Sequence, residues 1–227
     1  MVDWWVANII NDPNLGFPAL FAWAVVAIGS IVLHELAHGW AAIRLGDDTP
    51  IVMGHMTWNP LVHMGGFSLV VFAILGIAWG AMPVNPSRLR GRHGSAIVSA
   101  AGPAMNFALA AVACVLCALW AVFAPKLGVS DPLLGNFQRF FFYGVMLNVV
   151  LGLFNLAPIM PLDGGRILAE YWPAYARLAD SENGRWVMLG GFILFFWFGA
   201  DIVFDIGATV SLEMIDASVG ALRAVVP

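Results

Sequence analysis

The chain alternates long apolar stretches with short polar breaks, and the stretches approach or exceed the length that crosses a lipid bilayer. An α-helix needs about 20 consecutive apolar residues to do so. Five stretches are candidates, and they cover residues 17–43, 65–82, 94–124, 133–162 and 186–204. The pattern predicts an all-α polytopic membrane protein.

Composition supports this prediction. Of the 227 residues, 61% are hydrophobic and 11% are charged, whereas about 25% of the residues of soluble proteins are charged. So few charged side chains cannot cover a water-soluble fold, and the expected surroundings are the lipid bilayer. With a net charge of −4 and only 10 basic residues, the chain offers no basic surface, and we expect no nucleic-acid partner.

No repeat or charged linker divides the sequence, which predicts a single domain over residues 1–227. Both ends are predicted to lie at the membrane surface. Residues 1–16 contain Trp4 and Trp5, whose indole rings favour the headgroup zone. Residues 208–227 form a mildly amphipathic tail that could lie in the interface.

Three ionisable residues, His34, Glu35 and His38, lie near the end of the first apolar stretch. Such residues are costly unless they face a protein interior or a wet cavity. On a helix the two histidines lie about 6 Å apart along the axis and on one face, so both imidazoles can reach one cation. The H-E-x-x-H pattern is typical of zinc peptidases, in which the glutamate is the general base. The alternative is a pair of buried structural histidines.

A catalytic zinc site needs a third protein ligand, and the best candidate is Asp163. Pro158 and Pro161 precede it and a glycine pair at 164–165 follows it, so an unbroken helix is not expected there. Irregular backbone at membrane depth is tolerated only against protein or a water-filled cavity, which suits a metal site. The alternative is a loop carboxylate that pairs with Arg166.

Four other polar residues are further candidates. Asn155, about two turns before Asp163, could hydrogen-bond substrate backbone or a developing oxyanion. Asn106 could hydrogen-bond across to the helix that carries the histidines, because buried amides favour helix association in membranes. His55 and His63 lie in the polar loop after the first stretch, and each is either a fourth ligand or a residue that is solvated or binds loop carbonyls.

Three motifs, in this order, resemble those of the site-2 protease family of intramembrane zinc metalloproteases. They are H-E-x-x-H at residues 34–38, G-P-x-x-N at residues 102–106 and N-x-x-P-x-x-P-L-D-G at residues 155–164. The three motifs together are more specific than any one alone, and the resemblance covers residues 17–207.

The resemblance implies roles for five residues. His34, His38 and Asp163 would bind one Zn²⁺ per chain, Glu35 would be the catalytic acid and base, and Asn155 would lie near the substrate. The function implied is a zinc metalloendopeptidase that hydrolyses peptide bonds within or next to transmembrane segments of other proteins. The alternatives are a membrane metal-ion transporter that uses the same three ligands as a transit site, and an inactive binding protein.

The ligand positions restrict the topology. For one zinc ion to bind His34, His38 and Asp163, the first and fourth apolar stretches must point the same way, because all three ligands lie near carboxyl ends. The third stretch must then run opposite to both, so the second stretch, residues 65–82, cannot cross. Its glycines favour a re-entrant or in-plane segment, and the prediction is therefore about four transmembrane helices.

The basic residues support this topology through the positive-inside rule. One face would carry Arg44, Arg88, Arg90, Arg92, Arg166, Arg177 and Arg185, and the other would carry Lys126, Arg139 and Arg223. The first face is predicted to be cytoplasmic, with the active site nearer to it and both termini outside. The expected location of this multi-pass protein is the plasma membrane.

The loop after the first stretch is predicted to contain a short β-hairpin. Residues 49–58 include β-favouring residues around Gly54, and an exposed strand edge there could align an extended substrate by strand addition. Gly54 is therefore a candidate substrate-binding residue.

Overall fold

The computed structural model describes residues 6, 9–10, 12 and 15–226, and the regular secondary structure of these residues is helical. From Leu15 onwards the α-helices are α1 (Gly16–Arg44), α2 (Thr49–Val52), α3 (Pro60–Leu75), α4 (Gly94–Lys126), α5 (Leu133–Asn155), α6 (Asp163–Tyr171), α7 (Pro173–Asp180) and α8 (Glu182–Val225), and a short 3-10 helix spans Pro86–Arg88. The predicted interfacial segment at residues 1–16 falls largely outside the described residues.

Four of these helices, α1, α4, α5 and α8, are long and apolar enough to span a membrane. They coincide with the first, third, fourth and fifth apolar stretches, so the predicted all-α fold with four spanning helices is confirmed. The fourth stretch is predicted to extend to residue 162, whereas α5 ends at Asn155. Pro158 and Pro161, which lack a backbone donor, lie in the non-helical turn that follows.

Helices α1, α4 and α5 form the centre of the bundle. Small residues of α1 such as Ala19 and Ala22 are buried in one cluster with Met146 and Leu147 of α5. In lipid no hydrophobic force drives helices together, so close packing over small residues and interhelical hydrogen bonds hold them. Residues 143–150 of α5 are accordingly all buried.

The second apolar stretch turns back on itself, as predicted. Helix α3 carries Phe72 to the core cluster that contains Ala19 and Ala22, near the start of α1. At Gly76 the backbone takes a left-handed conformation, with φ of 75°, that ends the helix. Residues 77–85, here called the return segment, lead back without regular secondary structure.

The direction of this segment makes it re-entrant rather than in-plane. Gly80 of the return segment packs against Glu35, whereas Phe72 belongs to the buried cluster that holds the α1 residues Ala19 to Ala27. These α1 residues lie about 12–24 Å before Glu35 along the helix axis. The segment therefore runs along α1, into the bundle and back.

The predicted β-hairpin at residues 49–58 is wrong. The carboxylate of Asp47 accepts hydrogen bonds from the backbone N–H and the hydroxyl of Thr49, and Pro50 occupies the first turn of α2, where its fixed φ and missing N–H are tolerated. These contacts form a short helix where the β-favouring side chains had predicted an extended strand. Gly54 follows with φ of 70°, so this described part of the chain offers no strand edge for a substrate.

Helix α8 runs unbroken past Ala208 and has 44 residues in all. Val210 and Met214 pack against the cluster that contains Cys114 of α4. The predicted tail thus begins as a packed part of a long helix, and the interfacial position of residues 208–227 stays a prediction.

Candidate metal centre

Helices α1 and α6 bring the three predicted metal ligands together. His34 and His38 lie one turn apart on α1, and Asp163 is the first residue of α6. The two Nε2 atoms are 3.0 Å apart, and they lie 3.2 and 3.3 Å from Oδ2 of Asp163. All three side chains are buried.

The other ring nitrogens fix the tautomers. Nδ1 of His38 lies 2.7 Å from the carbonyl oxygen of Val98 and donates to it, because a carbonyl only accepts. Nδ1 of His34 donates to the amide oxygen of Asn106 at 2.6 Å. A neutral imidazole carries one N–H, so both Nε2 atoms present lone pairs to each other and to the carboxylate. Three such atoms repel one another unless a cation lies among them.

The spacing of these atoms fits zinc. Zinc bonds to imidazole nitrogen and carboxylate oxygen are about 2.0–2.1 Å long, which places neighbouring ligands of a tetrahedral site about 3.3–3.4 Å apart. The three separations here, 3.0, 3.2 and 3.3 Å, are close to that value. Three protein ligands also leave the fourth position for a water molecule, as catalytic zinc sites do.

Asp163 is ionised in this site. Burial alone would raise the pKa of this carboxyl, but a proton on Nε2 of either neighbouring histidine outweighs burial and lowers the pKa below its usual range. Metal ligation requires a deprotonated carboxylate. Among the described residues no hydrogen-bond donor competes for Oδ2.

The turn between α5 and α6 sets the position of the third candidate ligand, Asp163. The hydroxyl of Tyr175 on α7 accepts from the N–H of Met160 at 3.1 Å and donates to the carbonyl of Pro158 at 3.3 Å. Gly164 lies directly against this turn, and a Cβ there would come within 2.5 Å of the turn's backbone. Sequence patterns indicated the break, but not the tyrosine that holds it.

Helix α4 supports the histidines through the G-P-x-x-N motif. Gly102 lets the backbone of α4 approach both imidazoles, and Asn106 accepts from His34. Val98 binds His38 through its carbonyl. These three residues of α4 are spaced four apart, so one face of the helix makes all the contacts. The predicted hydrogen bond of Asn106 to α1 is confirmed. Val98 binds His38 through its backbone carbonyl, a contact that the identity of its side chain does not indicate.

Glu35 and the three candidate ligands line one cavity of about 1190 Å³. Asn155 lines the same cavity. Its Nδ2 donates to the carbonyl of Leu151 at 2.9 Å, which leaves its amide oxygen and its second N–H for the cavity. Gly80 packs on the glutamate, since a Cβ there would lie 2.7 Å from Oε1 of Glu35.

Helix α3 holds the return segment against this cavity. The N–H of Trp79 donates to the hydroxyl of Ser68 at 3.0 Å, and that hydroxyl donates to the carbonyl of Trp79 at 2.8 Å. The N–H of Ala81 donates to the carbonyl of His63 at 2.9 Å. Gly80 lies between these anchored residues, and no local sequence signal indicated this arrangement.

The remaining candidate residues lie outside the cavity lining. Nε2 of His63 donates to the carbonyl of Thr57 at 2.7 Å, and Nδ1 of His55 donates to the carbonyl of Met53 at 3.0 Å. Both histidines therefore bind loop carbonyls, which is the second of the two predicted alternatives. Gly54 is exposed, and a Cβ there would meet nothing within 4 Å.

Known proteins match the chain over most of its length. The model of peptidase family M50 matches residues 22–129 and 122–198. A Bacillus subtilis protein, provisionally named zinc metalloprotease YwhC, is 33% identical over 173 residues, which cover 75% of this chain and 76% of that protein. A Mycolicibacterium smegmatis protein, provisionally named zinc metalloprotease Rip2, is 31% identical over 194 residues, which cover 82% of this chain and 70% of the relative.

A more distant relative extends the comparison to an archaeon. Zinc metalloprotease MJ0392 of Methanocaldococcus jannaschii is 28% identical over 150 residues, which cover 64% of this chain and 34% of that longer protein. No solved structure matches the chain significantly.

The alternative of a membrane metal transporter gains no support. All three relatives are named as metalloproteases. Within the described residues, one group of three His, Cys, Asp or Glu side chains could hold a metal, whereas a transit path needs ionisable residues at several depths.

Proposed function

Because the chain belongs to peptidase family M50 and is an intramembrane zinc metalloprotease, we propose that His34, His38 and Asp163 bind its zinc ion and that Glu35 is the catalytic acid and base. One observation carries the proposal: three buried lone-pair atoms lie 3.0, 3.2 and 3.3 Å apart beside a glutamate in a single cavity.

His34, His38 and Asp163 would hold the zinc ion, and when bound it would supply polarisation of the scissile carbonyl and a lower pKa for the attacking water. Glu35 takes the proton from that water and later passes it to the leaving amine. On α1 its side chain points about 100° away from His34, so it lies beside the ligand cluster instead of joining it. Gly80, packed on the carboxylate, restricts the conformations of Glu35.

Asn155 orients the substrate in this proposal. Its second N–H can donate to the oxyanion that develops on the scissile carbonyl. Its amide oxygen can accept from a peptide N–H of the substrate. The hydrogen bond to Leu151 restrains the amide from the other side.

We infer that the substrate is a membrane-spanning segment of another protein, cleaved within that segment or next to it. The cavity lining combines apolar residues such as Ile31 and Phe196 with charged ones such as Arg166 and Glu170. Apolar and charged groups both surround a peptide where a membrane helix meets the headgroup region. A substrate segment from that region would match this lining.

We also propose that the ligand-bearing end of α1 faces the cytoplasm and that the protein resides in the plasma membrane. The concentration of arginines near that end supports the orientation. Reporter fusions at the two termini should both read outside, and two cytoplasmic readings would contradict this topology.

The test of the site uses detergent-purified protein and a panel of membrane-spanning peptides, with and without a zinc chelator. Glu35→Gln should retain one zinc per chain and lose cleavage, whereas His34→Ala and Asp163→Ala should lose the zinc. His55→Ala, a histidine outside the cavity lining, is the matched control and should retain both. Cleavage by Glu35→Gln at the wild-type rate would overturn the proposed mechanism.

A further inference from the structure

A series of four hydrogen-bonded polar side chains, here called the ring, lies behind His34 between three membrane helices. Asn106 of α4 bonds His34 as described, and its Nδ2 donates to Oδ1 of Asn148 on α5 at 3.0 Å. Nδ2 of Asn148 then donates to the hydroxyl of Ser30 at 2.9 Å. Ser30 lies one turn before His34 on α1, so the ring begins and ends on the same helix.

The burial of this ring is close to complete. The exposed fractions of Ser30, His34, Asn106 and Asn148 are 4%, 7%, 0% and 3%. No water reaches such side chains to replace a missing partner, so each donor must face an acceptor.

One backbone carbonyl fixes the direction of every hydrogen bond in the ring. Nδ2 of Asn148 lies 2.8 Å from the carbonyl oxygen of Gly144, which can only accept. The amide oxygen of Asn148 must therefore face Asn106 and accept from its Nδ2. That leaves the amide oxygen of Asn106 towards Nδ1 of His34, which must carry the proton.

We propose that Asn148 is a positioning residue for the metal site: by orienting the Asn106 amide it holds His34 in the tautomer whose Nε2 lone pair faces the metal. The inference rests on the proposed role of His34 as a ligand. Asn148 acts only through Asn106, since it touches neither the imidazole nor the other ligands within the described hydrogen bonds.

A residue that only packs two helices would behave differently. Loss of packing lowers the stability of the protein whether or not metal is bound. Loss of a positioning residue weakens metal binding specifically, and residues behind metal ligands contribute about 10–100-fold to metal affinity.

The experiment measures the zinc dissociation constant of the 227-residue chain in detergent by competition with a chromophoric chelator. Asn148→Leu should raise that constant about tenfold, the lower end of the usual range, because it lies one residue further from the metal than Asn106. Ser211→Ala is the control: this buried hydroxyl also donates to a helix carbonyl, at 2.6 Å, but on α8 and away from the ring. It should leave the zinc dissociation constant unchanged.

A double-mutant cycle with Asn106→Leu tests whether the effect passes through Asn106. In the Asn106→Leu background, Asn148→Leu should change the zinc dissociation constant less than about twofold, because the connection is already broken. An undiminished tenfold effect in that background would overturn the proposal, and so would wild-type affinity in the single variant.

Asn148→Asp supplies the conservative rescue. A neutral carboxyl can donate to the carbonyl of Gly144 and accept from Asn106, so it preserves the direction of the ring. We expect its zinc affinity to lie nearer the wild type than that of Asn148→Leu, and equal losses in the two variants would contradict the inference. If Asn148→Leu does not fold, Asn148→Ala, which also removes the amide and adds no bulk, takes its place in each comparison. Failure of the wild-type chain to bind zinc at all would instead refute the proposed metal site.

Discussion

Gly102 leaves no room for a side chain beside His38, since a Cβ at this position would lie 2.5 Å from Nε2 of the imidazole. The same Cβ would lie 2.5 Å from Nε2 of His34. Helix α4 therefore approaches the face of α1 that carries both histidines as bare backbone, and the proposed metal site requires that no side chain be present at Gly102.

Gly102→Ala should abolish zinc binding, because the added methyl group would occupy the place where the ligand atoms converge. Alanine by itself favours a helix by about 0.5–1 kcal/mol over glycine, so loss of zinc would not reflect a weaker helix. The matched control is Gly29→Ala on α1, where a Cβ meets nothing within 4 Å. Metal analysis of the purified variants checks this, and equal zinc contents would contradict the prediction.

Gly80→Ala should impair catalysis while zinc remains bound. A Cβ at Gly80 would lie 2.7 Å from both Cγ and Oε1 of Glu35, so the carboxylate must move. Misplacement of a catalytic group by about 1 Å can cost on the order of 100-fold in rate, and we expect a fall in kcat of that order. Gly66→Ala, in the same re-entrant segment and with open space around its Cβ, should retain wild-type kcat. A normal kcat in Gly80→Ala would show that Glu35 tolerates the displacement.

Ser68→Ala should loosen the return segment. Its hydroxyl is the partner of both the N–H and the carbonyl of Trp79, and an unsatisfied backbone group costs about 1–3 kcal/mol in a buried site. We expect a lower thermal unfolding temperature and faster proteolysis within residues 77–85. Ser68→Thr keeps the hydroxyl and should restore both properties, whereas unchanged proteolysis in Ser68→Ala would argue against this anchoring role.

Asp47 makes the stability of the loop region dependent on pH. Burial alone would raise its pKa, but hydrogen bonds from Thr49 and Asn85 and the charge of Arg88 outweigh burial and lower the pKa below its ordinary value of 3.8. A carboxyl with a lowered pKa stabilises the folded state fully above its unfolded pKa, and that contribution disappears as the pH falls through the folded pKa.

The unfolding temperature should therefore fall below about pH 4 in the wild type, and Asp47→Asn should be destabilised at neutral pH and lose this part of the pH dependence. Asp48→Asn is the control, because Asp48 is exposed and its ion pair among the described residues is with the exposed Arg88, and such surface pairs contribute little. Thermal unfolding in detergent between about pH 3 and pH 6 measures the difference. Identical profiles for Asp47→Asn and the wild type would rule out this role.

The sequence was informative where the relevant physics is local. The spacing of His34 and His38 predicts one shared helix face, whatever the rest of the fold does. The prolines before Asp163 predict the end of α5 because they lack a backbone donor. The re-entrant segment followed from the requirement that three ligands meet on one side of the membrane.

The features that the sequence did not predict depend on contacts between distant residues. Ser30 and Asn148 lie in different apolar helices, 118 positions apart, and their pairing needs the packed bundle. Their polarity within apolar helices does indicate hydrogen bonds to other helices, since polar residues require partners in lipid, but it does not indicate which residues are the partners. The β-hairpin prediction failed because the hydrogen bonds of Asp47 and the geometry of Pro50 outweigh intrinsic β propensity.

The re-entrant segment has a further consequence for how such a chain can change over time. A stretch that enters and leaves through the same face contributes nothing to the parity of the crossings, so it cannot invert the helices that follow it. Insertions and deletions between α2 and α4 that keep this segment re-entrant would leave Asp163 on the same side of the membrane as His34 and His38. The residues that form the cavity wall beside Glu35 can therefore change during evolution while the membrane orientation of the following helices stays the same.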